Sequence, residues 1–166
     1  QVLLALSACD YRAFGEGAAE VKRSIELEAG QGARMVAALL DIGGAKPMET
    51  LAHALQLEIE HTQDRLLLLL SFLFDPDAMR QARLQLANGS PEKRSFALEV
   101  IDNVVSNDLK SAVMPLVDGS PLDERLRRLA PRFPQARLDR MDRLREIALC
   151  ATDSISPWTV ACALYT

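Results

Sequence analysis

Apolar side chains recur at intervals of three and four residues along most of the chain, which is the spacing of one helix face. The pattern is clear in segments 91–106 and 108–117, and it runs further in 17–42 and 48–74. No segment shows the strict apolar–polar alternation of a half-buried strand. The pattern predicts nine helices, at about 1–13, 17–42, 48–74, 76–87, 91–106, 108–117, 121–130, 137–152 and from 157 onward.

Proline following a capping side chain marks four of the helix starts. The cap oxygen accepts a free backbone N–H, and proline fits the first helical position because no N–H is needed there. The four pairs are Asp75-Pro76, Ser90-Pro91, Ser120-Pro121 and Ser156-Pro157. Gly89 and Gly119 lie in turns between these helices, and we expect both to take the left-handed conformation that ends a helix.

Helix starts at positions 90, 120 and 156 recur at spacings of 30 and 36 residues. Short antiparallel helix pairs at this period are typical of an α-solenoid, in which each pair buries its apolar face against the next. We predict a single all-α solenoid domain over residues 1–166, with longer helices in 1–74 and shorter, repeat-like helices in 75–166. A closed helical bundle is the alternative, and the two long helices fit it, whereas the shorter helices of the later half do not. The predicted core includes Leu55, Leu66, Leu69, Leu73, Leu98, Ile101, Val105, Val113 and Leu116.

Composition supports a helical domain and narrows its setting. Leu and Ala are abundant, whereas the β-branched residues that favour strands are few. The net charge of −4 argues against general nucleic-acid binding. Cys9, Cys150 and Cys162 form no CxxC pair, so we expect buried thiols in a reducing compartment and no disulfide framework.

Two segments resemble the opening of a HEAT-repeat helix. Residues 90–101 combine the capped proline with Arg94 and with an inward-facing Ala97 and Leu98. Residues 156–164 resemble a second copy, although Val160 stands where the arginine is expected.

Over residues 48–165 the chain resembles the soluble HEAT region of bacterial ATP/ADP translocase-like transporters of the major-facilitator type, through its segments 65–74, 97–105, 114–117 and 157–164. The resemblance implies a HEAT-like α-solenoid of antiparallel helix pairs. It also implies a cytoplasmic segment of a longer chain, tethered to the inner membrane by parts outside this sequence. Its role would be non-catalytic interaction or regulation, with another protein, a neighbouring domain or the membrane module as partner. A stand-alone HEAT scaffold and, less favoured, a HEAT-containing lyase of the phycobilin type are the alternatives.

Few residues carry candidate chemistry. Glu58 and His61 have the Glu-x-x-His spacing of two metal ligands, but a di-iron site needs a second such motif, and His53 lies in none. We therefore expect no metal, no cofactor and no catalytic residue. Gly30 and Gly32 lack the spacing of a phosphate-binding loop, so we interpret them as sites of close helix packing.

An arginine-rich segment, residues 125–145, holds the one notable cluster of charge. Interleaved carboxylates favour a solvated face with ion pairs one helical turn apart. The alternative is a docking surface for a neighbouring domain, an anionic membrane surface or a nucleotide. The candidate contact residues are Arg125, Arg127, Arg128, Arg132, Arg140 and Arg143. Because exposed ion pairs contribute little to stability, replacing Arg127, Arg128 and Arg132 with Ser should leave the melting temperature nearly unchanged.

The last predicted helix is still apolar where the sequence stops. We interpret Trp158, at its start, as a core side chain. Terminal repeats of a solenoid normally carry a polar cap, so Val160, Ala161 and Leu164 should form an open apolar edge. We expect a further helix pair to stabilise the chain, and the short form to self-associate through this edge.

Overall fold

The computed structural model describes residues 2–43, 46–149 and 155–166, and within these ranges the regular structure is helical, without strands. The helices are α1 (Val2–Ala8), α2 (Glu16–Ile42), α3 (Glu49–Leu73), α4 (Pro76–Asn88), α5 (Pro91–Val104), α6 (Asn107–Val117), α7 (Leu122–Leu129), α8 (Arg140–Leu149) and α9 (Pro157–Tyr165), with a 3₁₀ turn at Lys46–Met48. The all-α prediction is confirmed, although α1 ends well before residue 13. The expected end of the eighth helix, at 150–152, lies outside the described residues. None of the described helices combines the length and the apolar character needed to cross a membrane.

Three of the four predicted N-caps are confirmed. Their side-chain oxygens accept backbone N–H groups in the first turns of α4, α5 and α9, and the residues are Asp75, Ser90 and Ser156. The prediction at Ser120 is wrong, because its hydroxyl donates to Asp118 at 2.7 Å and α7 begins only at Leu122. Gly119 takes the expected left-handed conformation, with φ of 74°. Gly89 has φ of −80°, so the same prediction is wrong there.

The antiparallel pair of α2 and α3 forms the centre of the fold. Glu28 of α2 accepts a hydrogen bond from Arg65 of α3 at 2.8 Å, and Gly32, one turn further along α2, lies against the earlier Thr62. The residue numbers of the contacts rise along α2 and fall along α3, so the two helices run antiparallel. The buried side chains of the pair include Ile25, Ala29, Val36, Leu55, Ile59, Leu66 and Leu70.

Gly32 lets a third helix reach this pair. A Cβ atom at this position would lie 2.9 Å from Cδ1 of Leu116 in α6 and 3.1 Å from Cγ2 of Thr62 in α3. Cβ atoms do not pack so closely. The observed position of α6 against α2 therefore requires a residue without a side chain at position 32. Close packing is therefore confirmed for Gly32, whereas a Cβ at Gly30 would meet Phe133 at an ordinary 3.4 Å.

Most of the other described helices pack against the central pair. α6, α7 and α8 all pack against α2, while α1, α4 and α9 pack against α3. Consecutive helices also pack on each other, as α4 with α5, α6 with α7 and α8 with α9. In an open solenoid each repeat contacts only its neighbours, so the described helices, which share one core, pack more as a closed bundle does.

Most of the predicted core is found inside the molecule. Seven of the nine residues are buried, and the other two, Leu73 and Leu98, are half-buried and pack against the core. The interpretation of Trp158 as a core side chain is wrong, since this residue is 60% exposed.

The described cysteines differ in their surroundings. Cys162 is buried and Cys9 is exposed, and both are free thiols. Burial of the thiols is thus confirmed for Cys162 and wrong for Cys9, while Cys150 lies outside the described residues.

Candidate functional site

Arg143, predicted to contact a partner, is enclosed by the protein. Only 2% of its side chain is exposed, and its guanidinium binds Asp41 of α2 at 2.6 Å. The same group donates to the carbonyl of Ala136 at 3.0 Å and pairs with Glu146. Asp41 in turn accepts the backbone N–H of Leu138 at 3.2 Å. The predicted contact role of Arg143 is therefore wrong, because the burial that fixes α8 against α2 also removes its charge from the surface.

Arg140 and Arg132 also bind within the chain. Nε of Arg140 donates to the carbonyl of Ile42 at 3.1 Å, in the last turn of α2, where a cation offsets the negative end of the helix dipole. Arg132 binds Glu26 of α2 at 2.8 Å and the hydroxyl of Ser111 in α6 at 2.9 Å. Both guanidiniums hold the region after α7 against α2. A partner could be contacted only by the guanidinium N–H groups that these bonds do not use. The contact role of Arg132 and Arg140 stays a prediction.

Two arginines of α7 remain nearer the surface. Arg128 pairs with Asp118 at the end of α6. Burial raises the pKa of Asp118, but hydrogen bonds from Ser120 and the charge of Arg128 outweigh burial and hold that pKa below its usual value. Arg127 is 78% exposed and lies 4.0 Å from Glu124. Arg127 is therefore open to solvent, as its predicted contact role requires.

The sixth predicted contact residue, Arg125, lines a cleft of about 480 Å³ between α3, α4, the start of α5 and the turn after α6. We call it the α3–α5 cleft. Its apolar lining comes from Leu67, Leu86, Ala87 and Val117, and its polar lining from Gln56, Glu60, His61, Gln63, Asp64, Arg83, Arg94, Gly119 and Arg125. The volume is ordinary for a small-molecule site.

The arginines of the α3–α5 cleft differ in how they are neutralised. Arg83 binds Asp64 through two hydrogen bonds, of 3.0 and 3.1 Å, and this carboxylate raises its pKa. Nε of Arg125 donates to the carbonyl of Ser120 at 2.6 Å. Burial lowers the pKa of Arg125, and the charge of Asp118 acts in the opposite direction. A half-buried guanidinium held in this way is a candidate for binding an anion.

A second cavity, of about 380 Å³, lies between α1 and α3. Most of its lining is apolar and comes from Val2, Leu3, Leu4 and Leu68. It shares His61, Asp64 and Arg83 with the α3–α5 cleft, so the Asp64–Arg83 ion pair borders both cavities.

Glu58, the acidic member of the Glu-x-x-His motif, has a structural role. Its buried carboxylate accepts the backbone N–H of Ser156 at 2.9 Å and the hydroxyl of Thr159 at 2.8 Å, and so fixes the first turn of α9 to α3. His61 is exposed and lines the α3–α5 cleft. In the ranges that the structure describes, no three His, Cys, Asp or Glu residues are grouped to hold a metal ion.

The outer side of α9 carries exposed apolar side chains. Trp158 is 60% exposed, Leu164 70% and Tyr165 95%, while Thr159, Cys162 and Ala163 face inward and are buried. Of the three residues expected at an open edge, Leu164 is exposed, whereas Val160 and Ala161 are half-buried. The pattern of the sequence did not reveal that Trp158 belongs to this outer face, because apolar residues occur on both sides of the helix.

The α3–α5 cleft was also missed in the sequence. Its lining comes from residues 56–67, 83–94 and 117–125, and no local motif connects these segments. In the sequence, Arg94 is distinguished only by its position in the HEAT-like helix, and Arg125 only as a member of the arginine-rich segment.

Comparison with protein-family models, with curated proteins and with solved structures finds no significant match to this chain.

Proposed function

We propose that the chain is a non-catalytic helical interaction domain that contacts another protein, or a neighbouring domain of its own chain, through the outer face of α9. The observation that carries the proposal is the joint exposure of Trp158, Leu164 and Tyr165 on a single helix. Tryptophan and tyrosine are enriched among the residues that dominate binding energy in protein interfaces. Neighbouring apolar groups left in water commonly mark such a surface.

The inner side of α9 holds this surface in a fixed orientation. Thr159, Cys162 and Ala163 are buried, and Glu58 binds the first turn from α3. A helix anchored on one side needs little rearrangement before it binds on the other. Less conformational freedom is then lost on association, which favours affinity.

The resemblance to translocase-like transporters supplies a context for this surface. On this proposal the domain is the cytoplasmic HEAT-like part of such a transporter, and further helix pairs or the membrane module cover α9. The packing of consecutive helices on each other, α4 with α5, α6 with α7 and α8 with α9, supports the repeat-like interpretation. A stand-alone HEAT scaffold would use the same surface for a separate protein.

Trp158 provides a direct test, since it is the single tryptophan of the chain. Extending the chain by the next helix pair encoded in its gene should move the tryptophan emission to shorter wavelength and raise the melting temperature. Replacing Leu164 and Tyr165 with Ser should remove that rise. Phe96→Ser is the matched control, because Phe96 is 58% exposed on α5, away from this surface.

Sedimentation and the gene sequence complete the test. The 166-residue chain should self-associate at high concentration, and the Leu164→Ser/Tyr165→Ser variant should not. A strictly monomeric chain whose tryptophan emission and melting temperature do not respond to the extension would contradict the proposed surface. A gene that encodes no membrane spans would remove the transporter context and leave the scaffold.

A further inference from the structure

Two guanidinium groups face the α3–α5 cleft without an acidic partner of their own. Arg94 projects from the first turns of α5, and Arg125 from α7. Neither side chain forms an ion pair with a carboxylate in the described part of the chain. Both side chains line the same cleft from different helices.

The acidic groups around the cleft are mostly neutralised already. Asp64 is paired with Arg83 at 3.0 Å, and Asp118, near Arg125, is paired with Arg128. Glu60 is the remaining carboxylate of the lining, and the amide of its neighbour Gln56 donates to it at 3.4 Å. The lining therefore holds three arginines, Arg83, Arg94 and Arg125, against the two carboxylates of Asp64 and Glu60, and its net charge is +1.

Charge and geometry distinguish among possible anions. A phosphate monoester carries a charge of about −1.5 to −2 at neutral pH, whereas a carboxylate carries a single charge. The planar donor fork of arginine matches the oxygens of a phosphoryl group. We infer that the α3–α5 cleft binds a small organic phosphate, with its phosphoryl group between Arg94 and Arg125.

The rest of the lining suits the carbon part of such a ligand. Leu67, Leu86 and Val117 provide an apolar wall, and the cleft of about 480 Å³ is larger than a phosphate group alone requires. Small-molecule sites combine an apolar lining with a few polar groups that orient the ligand. Burial has already removed part of the water around Arg125, as the direction of its pKa shift indicates, so an arriving anion meets a poorly solvated cation. This site is separate from the surface on α9 and does not depend on the proposed interaction role.

Phenyl phosphate is a suitable probe, because it joins a dianionic head to an apolar ring. Binding to the 166-residue chain would be measured by isothermal titration calorimetry, with ³¹P NMR as a second readout. Arg94→Gln and Arg125→Gln should each weaken binding about tenfold or more, since each removes charge-assisted hydrogen bonds. Arg127→Gln is the matched control, because Arg127 lies on the same helix as Arg125 but outside the cleft, and it should bind as the wild type does.

The variants also separate binding from folding. Arg94 is exposed and has no hydrogen-bonding partner among the described side chains, so Arg94→Gln should retain the circular dichroism spectrum and melting temperature of the wild type. Arg125→Gln loses the bond to Ser120 and is interpreted only if its spectrum is unchanged.

Each remaining outcome bears on one part of the inference. Absence of phenyl phosphate binding, or equal weakening by Arg127→Gln, would overturn the site. Benzoate binding as tightly as phenyl phosphate would overturn the preference for a dianion. Inorganic phosphate binding as tightly would overturn the contribution of the apolar wall and leave a site for free phosphate.

Discussion

Because Gly32 has no side chain, α2, α3 and α6 can pack closely around it. Alanine is favoured over glycine within a helix by about 1 kcal/mol. Even so, Gly32→Ala should lower the free energy of unfolding by about 1–3 kcal/mol, the usual cost of overfilling a packed core. The added methyl group would meet the enclosed Leu116 and Thr62, which are 0% and 1% exposed.

Urea denaturation checks this prediction, and Gly30→Ala is its control. A methyl group at Gly30 reaches only ordinary contact with Phe133, at 3.4 Å, so this change should leave stability unchanged or raise it. A gain of stability in both variants would show that the three helices can separate at little cost.

Glu58 should make the attachment of α9 depend on pH. Burial raises the pKa of this carboxyl, but hydrogen bonds from Ser156 and Thr159, together with the charge of His61, lower it below the usual 4.5. A carboxyl with a lower pKa in the folded state stabilises the fold above its unfolded pKa, and that contribution is lost as the pH falls through the folded pKa. The difference in stability between wild type and Glu58→Gln should therefore be largest above the ordinary pKa of 4.5 and shrink as the pH falls through the lower pKa of the folded state.

Chemical denaturation of both proteins across this pH range measures the difference. Glu60→Gln serves as the control, because Glu60 is exposed and does not contact α9, and its difference from wild type should not follow the same course. A gap between wild type and Glu58→Gln that stays constant from neutral to acid pH would contradict the assignment.

Between elements, the Arg143–Asp41 pair is the buried ion pair that links α8 to α2. Arg143→Met leaves Asp41 buried without its partner, and loss of one member of a buried pair costs about 3–5 kcal/mol. Replacing both residues, as Asp41→Leu/Arg143→Met, should recover a large part of this loss, because apolar side chains can substitute for a buried ion pair. Thermal denaturation of the two variants provides the measurement.

Arg127→Met is the matched control for this pair. Arg127 is 78% exposed, and its removal should change stability by less than about 0.5 kcal/mol. If the double variant proves no more stable than Arg143→Met, the loss would not come from leaving Asp41 buried without its ion-pair partner, and this explanation would be contradicted.

The helices themselves could be predicted, because their signals are local. Apolar spacing and cap chemistry depend on residues within about one turn, and Asp75, Ser90 and Ser156 all cap as expected. The failure at Ser120 is local too, since Asp118 two residues earlier competes for its hydroxyl.

The roles of the arginines could not be predicted in the same way. The partners of Arg132 and Arg143 on α2 lie more than 100 positions away in the sequence, so no local pattern identifies them. The expectation that replacing Arg127, Arg128 and Arg132 with Ser leaves the melting temperature nearly unchanged stays a prediction, and the bonds by which Arg132 joins α2 to α6 argue against it. Likewise, the side of α9 that faces inward depends on the distant Glu58. The prediction that Trp158 is a core side chain was wrong for this reason.

Over the whole molecule, contacts of the central pair with later helices should make unfolding cooperative. Hydrogen exchange should be slowest in α2 and α3, and α6 to α9 should open together with them, since these helices pack on the pair. α1 has no fully buried residue, so its amides should exchange fastest among the helices. Mass spectrometry of exchanged peptides would test this order. Independent opening of α7 to α9 would instead indicate the nearest-neighbour stability of a repeat array.

The long-range bonds of this fold can form only late in translation, after their C-terminal residues have been synthesised. Glu26 meets Arg132, Asp41 meets Arg143 and Glu58 meets Ser156, with separations of 106, 102 and 98 residues. At roughly 5–20 residues per second, a ribosome needs about 5–20 s to deliver the second member of each bond. Until then, the sides of α2 and α3 that later receive α6 to α9 face water on the nascent chain. A chaperone that covers these two helices during translation would therefore improve the yield of folded protein, whereas one that acts after release would come too late to shield them.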